Sequence, residues 1–306
     1  MIYQRRQFLG ALWALPLAGC LQDDPRTAYQ PTYSDQPSVR PGPHEFVFGI
    51  HPLHNPAMLF DIYGPLVDWL NVRLGEGRIV LEASRNYEEY DRKLAARHFD
   101  LSMPNPYQTL LGLQAGYRVF AKMGNDEVFR GLILTRADSP VSQVRDLLGK
   151  VVSFPAKTAL AATMMPQRYL HDHGLPLKSY QQRYVGSQES SIMNAYLGDS
   201  MACATWPPPW ETFQREYPER AEEMRVLWVT DSLPSVSLMA RNDFPPALLD
   251  TLRSALLHLH EDERGRELLA RIPLKRFEAA SEITYQPVRR FVDDFERQVR
   301  PLKGQA

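Results

Sequence analysis

Two histidines, His51 and His54, stand three residues apart in the segment Ile50-His51-Pro52-Leu53-His54-Asn55-Pro56. Imidazoles in that arrangement either donate to an anion or ligate a metal. No cysteine or carboxylate stands beside them to complete a metal site, so no metal is expected, and loop-shaping hydrogen bonds are the simpler alternative to ligand contact. Asn105 and Tyr107 flank Pro106 at the start of a helical pattern, where they either meet an anion or form a turn in which Asn105 caps the helix. Gln188-Glu189-Ser190 offers an amide, a carboxylate and a hydroxyl at another helix start. The helix dipole alone favours Glu189 there; as a ligand group it would receive an ammonium. Trp206 and Trp210 bracket three prolines, a stiff aromatic segment that walls a cleft or covers a core, and Trp206 is expected as cleft wall. Hydrolysis is not indicated. Gly198-Asp199-Ser200 follows a helix, and the chain has neither a Gly-x-Ser-x-Gly elbow nor an Asp-x-x-His pair. No Walker loop, dinucleotide fingerprint or His-Glu-x-x-His occurs, so neither an enzyme nor a cofactor is expected.

The elements that must hold these residues alternate between strand and helix. Phe46–Ile50 is a continuous apolar run, the mark of a strand covered on both faces. Ala57–Leu74 follows with helical spacing, then a strand at Ile79–Leu81, a polar helix over Tyr87–Arg97 and a strand at Phe99–Met103. The rhythm restarts after Phe129–Leu134: a short helix at Val144–Leu148, a strand at Val151–Phe154, a helix over Thr158–His173, then Arg183–Val185, Gln188–Leu197 and Met201–Thr205. Helices over Ala247–His260, Glu263–Ala270 and Pro287–Val299 close the chain. Two successive βαβ units with a helical tail predict an α/β protein of two lobes, each a mostly parallel sheet flanked by helices, with ligand between them.

Residues 1–20 read as an export signal. Arg5 and Arg6 precede an apolar core from Phe8 to Ala18, about 17 Å of helix at ~1.5 Å per residue and too short for a bilayer. Leu17-Ala18-Gly19-Cys20 resembles a bacterial lipobox, which implies acylation of Cys20, and Gln4-Arg5-Arg6-Gln7-Phe8-Leu9 resembles the twin-arginine export pattern. Residues 21–44, with five prolines and no apolar period, read as a disordered tether. Removal of residues 1–19 leaves 33 basic and 36 acidic side chains, which offers no electrostatic footprint for nucleic acid. Cys203 then has no partner for an internal disulfide and is expected as a buried small hydrophobe.

Several blocks, taken in order, carry a more specific likeness. They are Gly49-Ile50-His51-Pro52-Leu53-His54-Asn55-Pro56 with Tyr63-Gly64-Pro65, Asn105-Pro106-Tyr107-Gln108, Gly186-Ser187-Gln188-Glu189-Ser190-Ser191, and Ala204-Thr205-Trp206 through Trp210. Together they resemble the phosphate/phosphite/phosphonate substrate-binding proteins of ABC transporters over roughly 46–295. The resemblance implies a type 2 periplasmic-binding-protein fold with two hinge crossings and an anion-sized cleft. Lobe one would comprise 45–133 with 232–306, and lobe two 134–231. It further implies a monomeric lipoprotein on the periplasmic face of a membrane, capturing a small anionic solute for an ABC permease. The alternative is a tethered sensory module that docks onto a membrane signalling protein. Tyr87 matches a ligand-lining tyrosine of that family, and Gln188 stands where members often carry histidine. Phosphonate-binding members place a Ser-Thr-Ser-Gly run at a helix start; counting back from Pro166, the matching positions are Ala159-Leu160-Ala161-Ala162. The hydroxyls are gone, but unpaired amides at that helix start remain, flanked by Thr158 and Thr163.

Overall fold

The computed structural model describes residues 45–302. The export signal, Cys20 and the proline-rich tether lie outside them. Eleven strands form two sheets among the described residues. The first contains β1 (Glu45–Ile50), β2 (Arg78–Ala83), β3 (Leu101–Met103), β4 (Tyr117–Met123), β10 (Ser237–Arg241) and β11 (Phe277–Ala279), in the order β11-β4-β10-β3-β1-β2. The second contains β5 (Arg130–Arg136), β6 (Val151–Phe154), β7 (Gln181–Tyr184), β8 (Ala202–Thr205) and β9 (Met224–Ser232), in the order β7-β6-β8-β5-β9. The chain passes from the first sheet to the second between β4 and β5, and returns between β9 and β10.

Both sheets are mixed rather than mostly parallel. β1 runs parallel to β2 and β3, and β6 runs parallel to β7 and β8. The strands next to the crossings are antiparallel: β10 to β3 and β4, and β5 to β8 and β9. A crossover helix makes neighbouring strands parallel, whereas a strand that carries the chain into or out of a sheet enters against that direction. Arg130 already pairs with Ser232, so β5 sits wholly in the second sheet and is not divided at residue 133.

Helices α1 (Pro56–Leu74), α2 (Tyr87–Ala95), α3 (Pro106–Gln114), α8 (Pro246–Leu257), α9 (Glu263–Arg271) and α10 (Gln286–Gln298) belong with the first sheet. Helices α4 (Met165–Asp172), α5 (Gln188–Tyr196), α6 (Pro207–Glu216) and α7 (Pro218–Glu222) belong with the second. Pro65 lies inside α1 and cannot donate to the carbonyl of Asp61. The guanidinium of Arg271 on α9 takes that carbonyl instead, at 3.3 Å. Val144–Leu147 is a single 3-10 turn, not a longer helix. Cys203 is buried in β8 as a free thiol, and burial pushes its pKa up.

The helix expected from Thr158 starts later and differently. Leu160–Met164 forms a π turn that leads into α4. The amides of Thr163 and Met164 share the carbonyl of Ala159, at 2.9 and 3.2 Å. Pro166, one residue into α4, has no N–H to return to the preceding turn, which leaves that turn free to widen.

Candidate functional site

The carboxyl ends of the strands aim several helix starts at the space between the sheets, those of α3, α5 and the π turn among them. Asn105 caps α3 in a reciprocal capping box: its side chain accepts from the Gln108 amide at 3.0 Å, and Gln108 Oε1 accepts from the Asn105 amide at 3.1 Å. Ser187 caps α5 through the amide of Ser190. The π turn supplies a further start. Around one small cavity the fold brings together His51, Tyr87, Asn105, Gln188 and Trp206, with Phe129 and the run Ala159–Ala162.

Three consecutive residues of that run have amides without acceptors. Among the described residues, the N–H groups of Leu160, Ala161 and Ala162 donate to no backbone or side-chain group. All three residues are buried. Unpaired amides at a helix start carry the positive end of the helix dipole and suit an oxyanion. Gly131 makes this turn possible: a Cβ there would stand 2.6 Å from the Ala161 carbonyl oxygen and 2.7 Å from the Pro166 ring.

The side chains around the cavity bond across it. Asn105 Nδ2 donates to the Thr158 carbonyl at 3.1 Å, and Gln188 Nε2 donates to the Tyr87 hydroxyl at 3.2 Å. Thr205 holds Gln188 in place by donating to its Oε1 at 3.1 Å. His51 Nδ1 bonds the Met103 carbonyl at 3.0 Å, which assigns the proton to Nδ1 and leaves Nε2 as an acceptor in the neutral ring. Burial holds His51 neutral, with its pKa lowered to about 4. Phe129 meets Trp206 edge-on, with centroids 5.3 Å apart. Trp206 thus walls the cavity, while Trp210 packs with Phe213 in the second lobe's core.

The space left between these groups is about 10 Å³, close to what one water requires. The anion-sized cleft implied by the sequence is therefore shut down to its donors. Cross-cleft hydrogen bonds draw the walls together, and Leu160, Phe129 and Trp206 belong to the apolar core that continues from the first sheet.

The remaining expected site residues lie elsewhere. His54 is half-buried beside a neighbouring cavity of about 50 Å³ with Glu189, Glu216 and Tyr217. Burial, then electrostatic coupling to His51 and the charge of Arg215, lower its pKa to about 4. Glu189 is exposed and accepts from the Tyr217 hydroxyl at 3.2 Å. The Ser190 hydroxyl accepts from Ser187 at 2.8 Å within the cap. Tyr107 is buried on α3 away from the cavity lining. Thr158 contributes its carbonyl to the bond with Asn105, and its side chain hydrogen-bonds Asp91 on α2. Thr163 is buried behind the lining, with its hydroxyl unpartnered. Among the described residues, no three His, Cys, Asp or Glu side chains converge as a metal cluster.

Phe129 and Gly131 were not foreseen. Their one sequence signal is a glycine following an aromatic residue at the start of the second strand–helix series.

The profile of the family described as the periplasmic substrate-binding protein of the phosphonate ABC transporter matches residues 48–285. The chain belongs to that family. A probable ABC transporter phosphite-binding protein, PhnD1 of Prochlorococcus marinus (strain MIT 9301), is 20% identical over 184 residues. That alignment spans 56% of this chain and 62% of the relative. The crystal structure of PhnD1 with methylphosphonate superposes with a TM-score of 0.76 at 18% identity, covering 83% of this chain and 99% of the other. A binding-protein component of an ABC phosphonate transporter from Pseudomonas aeruginosa also reaches 0.76, at 15% identity, covering 83% and 87%. These likenesses establish the type 2 periplasmic-binding fold, and the family places the chain among extracytoplasmic substrate-binding proteins.

Proposed function

We propose that this protein captures a small phosphorus oxyanion, of the phosphonate or phosphite class, between its two lobes and presents it to an ABC permease without chemical change. Three unpaired amides, of Leu160, Ala161 and Ala162, beside the cavity carry this reading. Their dipole compensates an anion in a site whose lining includes no lysine or arginine. His51, Tyr87, Asn105, Gln188 and Trp206 are the proposed contacting side chains. The apolar wall of Leu160, Phe129 and Trp206 faces the substituent on phosphorus. Lobe one, 45–129 with 233–302, and lobe two, 130–232, part at the two crossings to admit the ligand, and the cross-cleft bonds give way to bonds with it. The names of the Prochlorococcus and Pseudomonas relatives support the ligand class.

The receptor is exported, acylated at Cys20 and held near the membrane as a monomer by its proline-rich tether. The lipobox-like segment and the Arg5-Arg6 pair support this part of the reading.

Thermal unfolding with methylphosphonate, phosphite and phosphate tests the ligand assignment. A ligand at a hundred times its Kd adds about 2.7 kcal/mol of stability. A transition unmoved by all three at millimolar concentration overturns the assignment.

A further inference from the structure

Arg300 follows α10, the helix that packs against α3 in the first sheet's half of the molecule. Its side chain nevertheless ends in the other half. Nη2 donates to the Lys157 carbonyl at 2.7 Å, and Nε donates to Gln167 Oε1 at 3.0 Å. Gln167 is fully buried, and its Nε2 donates to the Tyr184 hydroxyl at 3.0 Å, which ties the contact to β7. The guanidinium lies 5.2 Å from the centroid of Phe295, on the helix it extends from.

The two acceptors bracket one stretch of chain. Lys157 precedes the π turn by three residues, and Gln167 follows Pro166 in α4. Between them lie Leu160, Ala161 and Ala162, the three residues with unpaired amides. A planar guanidinium with donors in a rigid fork fixes the distance between its two acceptors, which a single-point cation does not.

We propose that Arg300 is a positioning residue for the ligand site. It staples both ends of the amide-bearing turn from the opposite half of the molecule, and so sets the turn's geometry and the closed arrangement together. Arg300 touches no proposed ligand position, and its effect passes through the loop it holds. The inference rests on the proposed reading of the cleft as an oxyanion site for its affinity arm, and on the structure alone for its exchange arm.

The test compares the full chain with Arg300→Ala and Arg300→Lys. Methylphosphonate affinity is measured by titration calorimetry, ligand-free stability by thermal unfolding, and amide exchange across 157–168 by mass spectrometry. Arg300→Ala is expected to weaken methylphosphonate at least tenfold and to speed exchange of the Thr163 and Met164 amides. The β1–β2 pairing should keep its protection and the transition temperature should move little. Arg300→Lys, which reaches one acceptor but does not span both, is expected to recover only part of each effect. Unchanged local exchange in Arg300→Ala, or acceleration spread evenly over both sheets, overturns the proposal. If the unsubstituted protein binds no methylphosphonate, phosphite or phosphate, the ligand assignment fails while the exchange comparison still decides the role of Arg300. If Arg300→Ala does not fold, Arg300→Lys alone carries the comparison, and exchange identical to the parent refutes the staple.

Discussion

The cross-cleft bond between Gln188 and Tyr87 makes closure measurable without any ligand. Both residues are 3% exposed, so in the closed form neither polar group reaches bulk water. Tyr87→Phe removes the acceptor and leaves Gln188 Nε2 buried without a partner, which costs ~1–3 kcal/mol. When the lobes part, water takes the same position and the cost vanishes, so the penalty falls on closure and not on the fold of either lobe. The open-to-closed ratio of the ligand-free protein is therefore expected to rise by roughly 5–150-fold. Spin labels on Val72→Cys and Leu148→Cys report it, because both sites are exposed and lie on opposite sheets' halves. Cys203 is buried with its thiol pKa pushed up, so it stays unlabelled, and Cys20→Ser removes the other cysteine. Pulsed EPR should show a longer-distance population growing in Tyr87→Phe. Adding Gln188→Ala should give less than the sum of the two single effects, because the partners share one bond. A distance distribution identical to the parent's, or strict additivity of the two substitutions, would refute the claim that this bond helps hold the cleft shut.

Gly131→Ala is expected to spoil oxyanion binding while the protein still folds, since its Cβ would meet the Ala161 carbonyl oxygen at 2.6 Å and displace the amide turn; calorimetry with methylphosphonate reads this. Leu160→Ala should lose roughly 2–5 kcal/mol of stability as a buried truncation, yet admit propylphosphonate in preference to the parent, measured by competitive titration. Acid should destabilise the protein. His51 and His54 have pKa values lowered to about 4 from 6.5, so between those limits the unfolded chain binds more protons and stability falls as pH falls. Asp91 opposes them: burial raises its pKa from 3.8 to about 6, against hydrogen bonds from Gln108 and Thr158, so its contribution grows as pH falls through 6. Two groups outweigh one, so the transition temperature should drop from pH 6.5 to 4.5 in scanning calorimetry, and more steeply in Asp91→Asn. A flat or rising profile contradicts the buried neutral histidines.

Local chemistry made much of this protein readable in its sequence. The cap at Asn105, one of two readings open there, and the apolar spacing in α1 that buries one helix face each depend only on neighbours a turn away. Alternation of strand and helix likewise set the α/β class, because each βαβ unit must bury both faces of its strands. The ordered blocks around His51, Asn105, Gln188 and Trp206 pointed to residues that do meet at one cavity. Strand direction at the crossings, the π turn and the size of the cleft were decided elsewhere. They depend on residues far apart in the chain: Gly131 against Ala161, Asn105 against Thr158, and Arg300 against Lys157. Tyr107 and Ser190 carry polar groups of the expected kind, yet packing turned one away and the cap engaged the other. The helix start at residues 160–162 was legible as a loss of hydroxyls that leaves unpaired amides behind. The widened turn and its place beside the cavity depend on the packed chain.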